Sequence, residues 1–262
     1  RLTLKGAVRE ILATEMLQAL GVETSRTLSV IETGESLQRQ DEPSPTRSAV
    51  LVRLSHSHIR IGSFQRLFYH DDADGIEKLA RHVARHYYAT PEYDAGRGAA
   101  QGAAQGAGQG AGQGAGWGTV VDADAGLEDL LADLLQAIAS RIAVTAGQWM
   151  AAGFVHGVLN TDNFNVTGES FDYGPWRFLP QFDAGLTAAY FDQTGRYAYG
   201  RQPEAAMWAV CRLADCFVKL VPKNILQDRL EGFYQQLERA LASAVQYRLG
   251  ITFADVDDER DA

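Results

Sequence analysis

The chain has 262 residues, 46% of them hydrophobic, with 24 Lys and Arg against 33 Asp and Glu for a net charge of −9. That length and apolar content support a buried core in one large domain or two modest lobes, which excludes a disordered or fibrous chain. The acidic balance, with no dense basic run, excludes a surface built for a phosphate backbone, so nucleic acid is not an expected partner.

From Lys5 to Leu20 the apolar residues Val8, Ile11, Leu12, Met16, Ala19 and Leu20 recur at helical spacing and Gly21 stops the run, which predicts a helix with one buried face. Thr27 to Thr33 and Ala49 to Leu54 are rich in β-branched residues and read as paired strands, separated by the polar, proline-bearing stretch Gly34 to Ser48. A further helix is expected between Asp71 and Tyr88, from the spacing of Ile76, Leu79, Ala80 and Val83. Residues 95–118 are a low-complexity Gly/Ala/Gln tract and read as a linker. It is no phosphate loop: its glycines all fall at even positions, whereas GxGxxG needs an odd offset, and the Gly-Lys-Ser/Thr of a Walker loop is missing.

Beyond the linker, Leu127, Leu130, Leu131, Leu134, Leu135 and Ile138 mark a long helix running towards Trp149 and Met150, followed by a compact loop region. Helical periodicity returns over Glu204 to Leu220 and over Ile225 to Leu249, with Pro222 between them. Cys211 and Cys216 lie five apart in the first of these patterns, without the companions that a metal site needs, and read as reduced core thiols. No signal peptide and no uninterrupted apolar run of 18 residues occurs, so a soluble protein without a membrane partner is expected, cytoplasmic in a bacterium or mitochondrial in a eukaryote. The start at Arg1 reads as that of a fragment.

The densest polar cluster is His156-Gly-Val-Leu-Asn-Thr-Asp-Asn163, followed by Phe171-Asp-Tyr-Gly-Pro175. In protein kinases the loop HRDLxxxN sets an asparagine seven residues after its histidine, and a DFG aspartate follows; both bind metal. His156 and Asn163 keep that interval, and Asp172-Tyr173-Gly174 stands in the DFG place. Hard oxygen donors of this kind suit Mg²⁺ or Mn²⁺. Val158 stands where a kinase has its catalytic aspartate, leaving Asp162 as the carboxylate in the loop that can accept a proton from an incoming hydroxyl. The bland alternative is that Asn160 to Asn163 is a turn, since these residue types favour turns. His156 reads as a structural brace, and the pair His82 and His86 as a solvated helix face, because no Glu follows His82 to make HExxH.

Three separated strings, SHIRIGSFQ at 57–65, HGVLNTDNFNVTGESFDYGPWRFL at 156–179 and DQTGRYAYGRQP at 192–203, resemble signature segments of the selenoprotein O family. The resemblance spans most of the chain up to about Leu220, apart from the linker. It implies an α+β, protein kinase-like two-lobe fold: residues 1–94 as a truncated small mixed lobe, 95–118 as a linker and 119–262 as a mainly helical large lobe. It implies transfer of AMP from ATP to Ser, Thr or Tyr hydroxyls of target proteins, with Asp162 as general base and Asn163 and Asp172 as metal ligands. Arg53 and Arg60 resemble the family's nucleotide-phosphate arginines, and Glu10 the helix glutamate that pairs with the nucleotide-binding lysine. Read by themselves, Arg53 is a strand-end residue free to snorkel, and Glu10 an exposed helix residue. The family's glycine-rich loop and strand lysine are expected ahead of Arg1, and Lys5, on the same helix as Glu10, does not replace that lysine. An impaired nucleotide-binding pseudokinase, or UMP transfer from UTP, are the alternatives.

Overall fold

The computed structural model describes residues 2–40, 42–89 and 120–251; the expected linker at 95–118 lies outside them. Among the described residues the fold is mixed, with α-helices and two small antiparallel sheets. Helix α1 (Leu4–Ala19) starts where the Thr3 hydroxyl accepts a hydrogen bond from the Gly6 amide at 3.0 Å, so a side chain satisfies one of the amides that every helix start leaves without a partner. Its buried face differs from the expected one. Val8, Leu12 and Met16 are exposed, while Ala7, Glu10, Ala13, Thr14 and Leu17 point inward. Ala13 and Leu17 of this face join the main apolar core, and the same face carries Glu10 into the interior.

Strands β1 (Leu2–Thr3), β2 (Arg26–Leu37) and β3 (Thr46–Leu54) form an antiparallel sheet in the order β1-β3-β2. Both long strands extend further than the β-branched runs suggested. Pairing continues through Ser36↔Arg47 and Leu37↔Thr46, and Arg47 bonds Glu32 across the strands, so cross-strand contacts carry polar residues into the ladder.

Helix α2 (Ile61–Tyr69) lies outside the helices expected from the sequence, and α3 (Ala73–Tyr87) follows, its first turn capped by the Asp72 carboxylate on the Gly75 amide at 2.8 Å. Helix α4 (Leu127–Ala152) is the core of the second half. It is long and apolar enough to cross a membrane, but 83% of its most apolar window is buried inside the protein, the mark of a core helix. Strands β4 (Phe154–Val155) and β5 (Arg177–Phe178) pair antiparallel, and the intervening segment contains the polar cluster.

Helix α5 (Gln202–Asp215) ends before the expected Leu220, and the single helix expected from Ile225 divides into α6 (Lys223–Asp228) and α7 (Phe233–Leu249). Gly232 stands at the start of α7, where a residue of weak helix propensity makes a break cheap. Helix α7 lies directly on α4 at Gly147, where a Cβ would stand 2.7 Å from the Leu237 carbonyl oxygen and 2.9 Å from the Leu241 amide nitrogen. Only glycine permits that approach of two helix backbones. Cys211 and Cys216 are both free thiols, and burial pushes the Cys216 thiol up to about 12, so it remains protonated and inert.

Candidate active site

The segment between β4 and β5 folds back on itself. The Phe171 amide donates to the Asn163 carbonyl at 2.8 Å and the Asn165 amide to the Glu169 carbonyl at 3.0 Å, so the two halves of the polar cluster are backbone neighbours. Beneath them lies an aromatic floor of Trp149, Phe154, His156, Phe164, Tyr173 and Trp176. His156 is fully buried in it. Its Nδ1 accepts from the Val158 amide at 3.4 Å, so Nε2 carries the proton and donates to the Ser170 hydroxyl at 2.7 Å; that hydroxyl in turn donates to the Asp172 carbonyl at 2.6 Å. Gln202 completes the brace, accepting from the His156 amide at 2.9 Å and donating to the Phe154 carbonyl at 2.8 Å. His156 thus ties the loop to the Asp172 turn and reaches no solvent.

Burial lowers the His156 pKa from 6.5 to about 4, and a stability prediction follows. The unfolded chain takes up the proton as pH falls through 6.5, whereas the folded chain does so only near 4, so the contribution of His156 is complete above 6.5 and is lost progressively between 6.5 and 4. The shift corresponds to roughly 3 kcal/mol. Thermal melts from pH 7 to pH 4 are expected to fall more steeply for the native chain than for His156→Gln; parallel curves would contradict this.

The side chains expected to carry chemistry meet in pairs. The Asn163 amide donates to the Asp172 carboxylate at 2.5 Å. Asp162, mostly exposed, lies 3.8 Å from the Arg60 guanidinium. Arg53 donates to Glu10 at 2.9 Å and to the Phe171 carbonyl, and the second Glu10 oxygen accepts from the Tyr173 amide at 2.9 Å. Glu10 is therefore no exposed helix residue, and Arg53 does not snorkel to solvent: their side chains are 10% and 11% exposed. A cleft of about 320 Å³ opens here, lined by Leu2, Glu10, Leu51, Arg53, His58, Phe171 and Asp172, a volume at the small end of ligand sites. Lys5 is well exposed and 3.9 Å from Glu42, and the cation bonded to Glu10 is Arg53.

Burial is the main cause holding the Asp172 carboxyl above the usual range, with Asp162 adding to it and Arg53, the Asn163 bond and Arg60 acting the other way. Burial likewise raises Glu10, against the Tyr173 amide and Arg53. A desolvated carboxylate whose neighbours compensate it only in part fits a cation. The donor set of one carboxylate and one amide oxygen fits a hard divalent ion that takes its remaining ligands from water or phosphate. Among the described residues no group of three or more His, Cys, Asp or Glu could hold a metal by itself.

Three contributors are not among the expected site residues. Phe171 has the Arg60 guanidinium over its ring at 4.4 Å, that of Arg53 at 5.5 Å and His58 edge-on at 6.1 Å, so one aromatic ring gathers both guanidinium groups. Gln202 and Gly62 are the others; all three stand inside the quoted strings, the only signal that pointed to them. Helix α1 is clamped to the site as well, since Arg9 donates to the Trp176 carbonyl at 2.8 Å and the Trp176 indole donates back to the Arg9 carbonyl at 3.2 Å.

Comparison with known proteins adds an independent finding. The family described as protein adenylyltransferase SelO matches residues 1–261. The chain is 43% identical over 252 residues to a protein nucleotidyltransferase YdiU of Synechocystis sp., covering 96% of this chain and 46% of that protein. It is 49% identical over 213 residues to the YdiU of Gloeobacter violaceus, covering 81% and 36%, and 40% identical over 260 residues to that of Trichodesmium erythraeum, covering 98% and 50%. The chain thus spans half the length of these relatives or less.

Proposed function

Since this chain belongs to the protein adenylyltransferase SelO family, we propose that its cleft receives ATP with Mg²⁺ or Mn²⁺ and serves transfer of AMP to Ser, Thr or Tyr hydroxyls of other proteins. The observation that carries the proposal is the Asn163 amide on the Asp172 carboxylate at 2.5 Å, beside a cleft lined by Arg53. We read the fold as kinase-like and two-lobed, with residues 1–94 in the small lobe and 119–262 in the helical lobe.

In this reading Asn163 and Asp172 would hold the cation, the asparagine through its amide oxygen, and the ion would supply neutralisation of phosphate charge. Arg60, held over the Phe171 ring and 38% exposed at its side chain, offers a planar fork to phosphate oxygens. Arg53, already bonded to Glu10 and the Phe171 carbonyl, adds fixed positive charge to the wall. Asp162 accepts the proton of the acceptor hydroxyl. The hydroxyl oxygen bonds to the α-phosphorus, the bond from that phosphorus to the bridging oxygen of the β-phosphate breaks, and pyrophosphate leaves with the bridging electron pair. Positioning and charge neutralisation supply most of the rate in such chemistry.

Incubation of the chain and a protein acceptor with α-labelled ATP, γ-labelled ATP and α-labelled UTP tests this. Label on protein from α-labelled ATP is expected. Label from γ-labelled ATP would overturn the AMP reading in favour of phosphoryl transfer, and label mainly from UTP would replace AMP by UMP.

A further inference from the structure

Helix α2 begins against the catalytic loop in an unusual way. No side chain caps its first turn. Instead the Ile61 amide donates to the Phe164 carbonyl at 3.1 Å and the Gly62 amide to the Thr161 carbonyl at 3.2 Å, so loop carbonyls on either side of Asp162 and Asn163 satisfy two of the amides that a helix start leaves unpaired. The Thr161 hydroxyl also donates to the Gln65 side chain. Loop backbone and helix backbone are thereby fixed to each other.

Gly62 lies inside α2 and is absent from the glycines with positive φ, so its backbone conformation does not require glycine. Glycine is a poor helix former, and as the second residue of α2 it still adds less to the helix than alanine would. The reason for it is spatial: a Cβ on residue 62 would stand 2.1 Å from the Asp162 Oδ1 and 3.1 Å from its Cγ. Both backbones are tied, so the atoms left free to yield are those of the Asp162 carboxylate, which would swing away from its place beside Arg60.

We propose that Gly62 is a positioning residue: the missing side chain is the space that Asp162 occupies, and any larger residue there displaces the proton acceptor. The inference rests on the reading of Asp162 as general base for its effect on catalysis, but not for the contact itself. Neither Gly62 nor α2 touches the reacting atoms in this account, and the effect runs entirely through the carboxylate.

The test is a cycle of four proteins: the native chain, Gly62→Ala, Asp162→Ala and the double variant. Melting is read without nucleotide, so this arm does not depend on activity. With Asp162 gone the added methyl finds open space, and Gly62→Ala is expected to raise Tm by about 2 °C through helix propensity. With Asp162 present the same change is expected to raise Tm by less, because the displaced carboxylate gives up its place beside Arg60. Equal shifts in the two backgrounds would overturn the proposal. In transfer assays Gly62→Ala is expected to reduce kcat by roughly 10- to 100-fold with nucleotide KM within about twofold, and to cause no further loss once Asp162 is alanine. Undiminished kcat in Gly62→Ala, beside a strong loss in Asp162→Ala, would also overturn it. Full transfer by Asp162→Ala would instead sink the general-base reading, and the melting cycle would still decide whether Gly62 seats the carboxylate.

Discussion

Asp172→Asn is expected to lower nucleotide transfer on the order of 100-fold or more and, in the same protein, to raise the melting temperature measured without metal. The two effects have opposite signs because one carboxylate is poorly solvated and yet chemically required. Burial is the leading cause of its raised pKa, and the nearby charge of Asp162 adds to it, so the ionised form is disfavoured in the folded chain. A carboxyl with a folded pKa above its unfolded value contributes stability that is present at acid pH and lost as pH rises through the folded value. Asparagine removes that penalty at neutral pH while keeping an oxygen to accept the Asn163 amide.

What asparagine cannot supply is the negative charge that a divalent cation and its phosphates require. Melting scans with and without Mg²⁺ and ATP separate the two effects. The native chain is expected to gain roughly 2.7 kcal/mol of stability at a ligand concentration 100 times Kd, and Asp172→Asn little or none. An equal gain in both proteins would mean that Asp172 does not hold the ion, and the site would have to be sought elsewhere.

How far this site could be read from the chain depends on the kind of signal each residue leaves. The seven-residue interval from His156 to Asn163 and the nearby Asp-Tyr-Gly are local, and the hydrogen bond between Asn163 and Asp172 joins positions only nine apart. The brace role of His156 was legible for the same reason. Contacts between distant segments were not: Gly62 meets Asp162 across 100 positions, and no periodicity encodes that. Apolar spacing favours Val8, Leu12 and Met16 as the inward face of α1, whereas packing buries the face on which Ala13 and Leu17 join the core and Glu10 finds partners inside. Helix α2 is short, and its start is capped by loop carbonyls rather than by a capping side chain, so it lacks the usual signature of a helix beginning.

Glu10 is the residue whose loss should cost the fold most. Glu10→Ala is expected to destabilise the chain by roughly 3 kcal/mol or more, because breaking a buried ion pair from one side leaves the other charge without compensation. Here the cost has two parts. Arg53 would keep the Phe171 carbonyl and the Phe171 ring but lose its carboxylate, and the buried Tyr173 amide would lose its acceptor. Glu10→Gln keeps an oxygen for Tyr173 and removes a charge that burial disfavours, so its cost should be smaller. Replacing both partners, Glu10→Leu with Arg53→Met, should cost less than Glu10→Ala alone, since an apolar pair of similar size carries no desolvation penalty. Urea denaturation of the four proteins reads this directly: a double variant less stable than Glu10→Ala would show that the pair contributes net stability. Transfer assays then separate fold from function, for the double variant retains its core but lacks the guanidinium in the cleft wall, and it is expected to bind nucleotide more weakly than Glu10→Gln does.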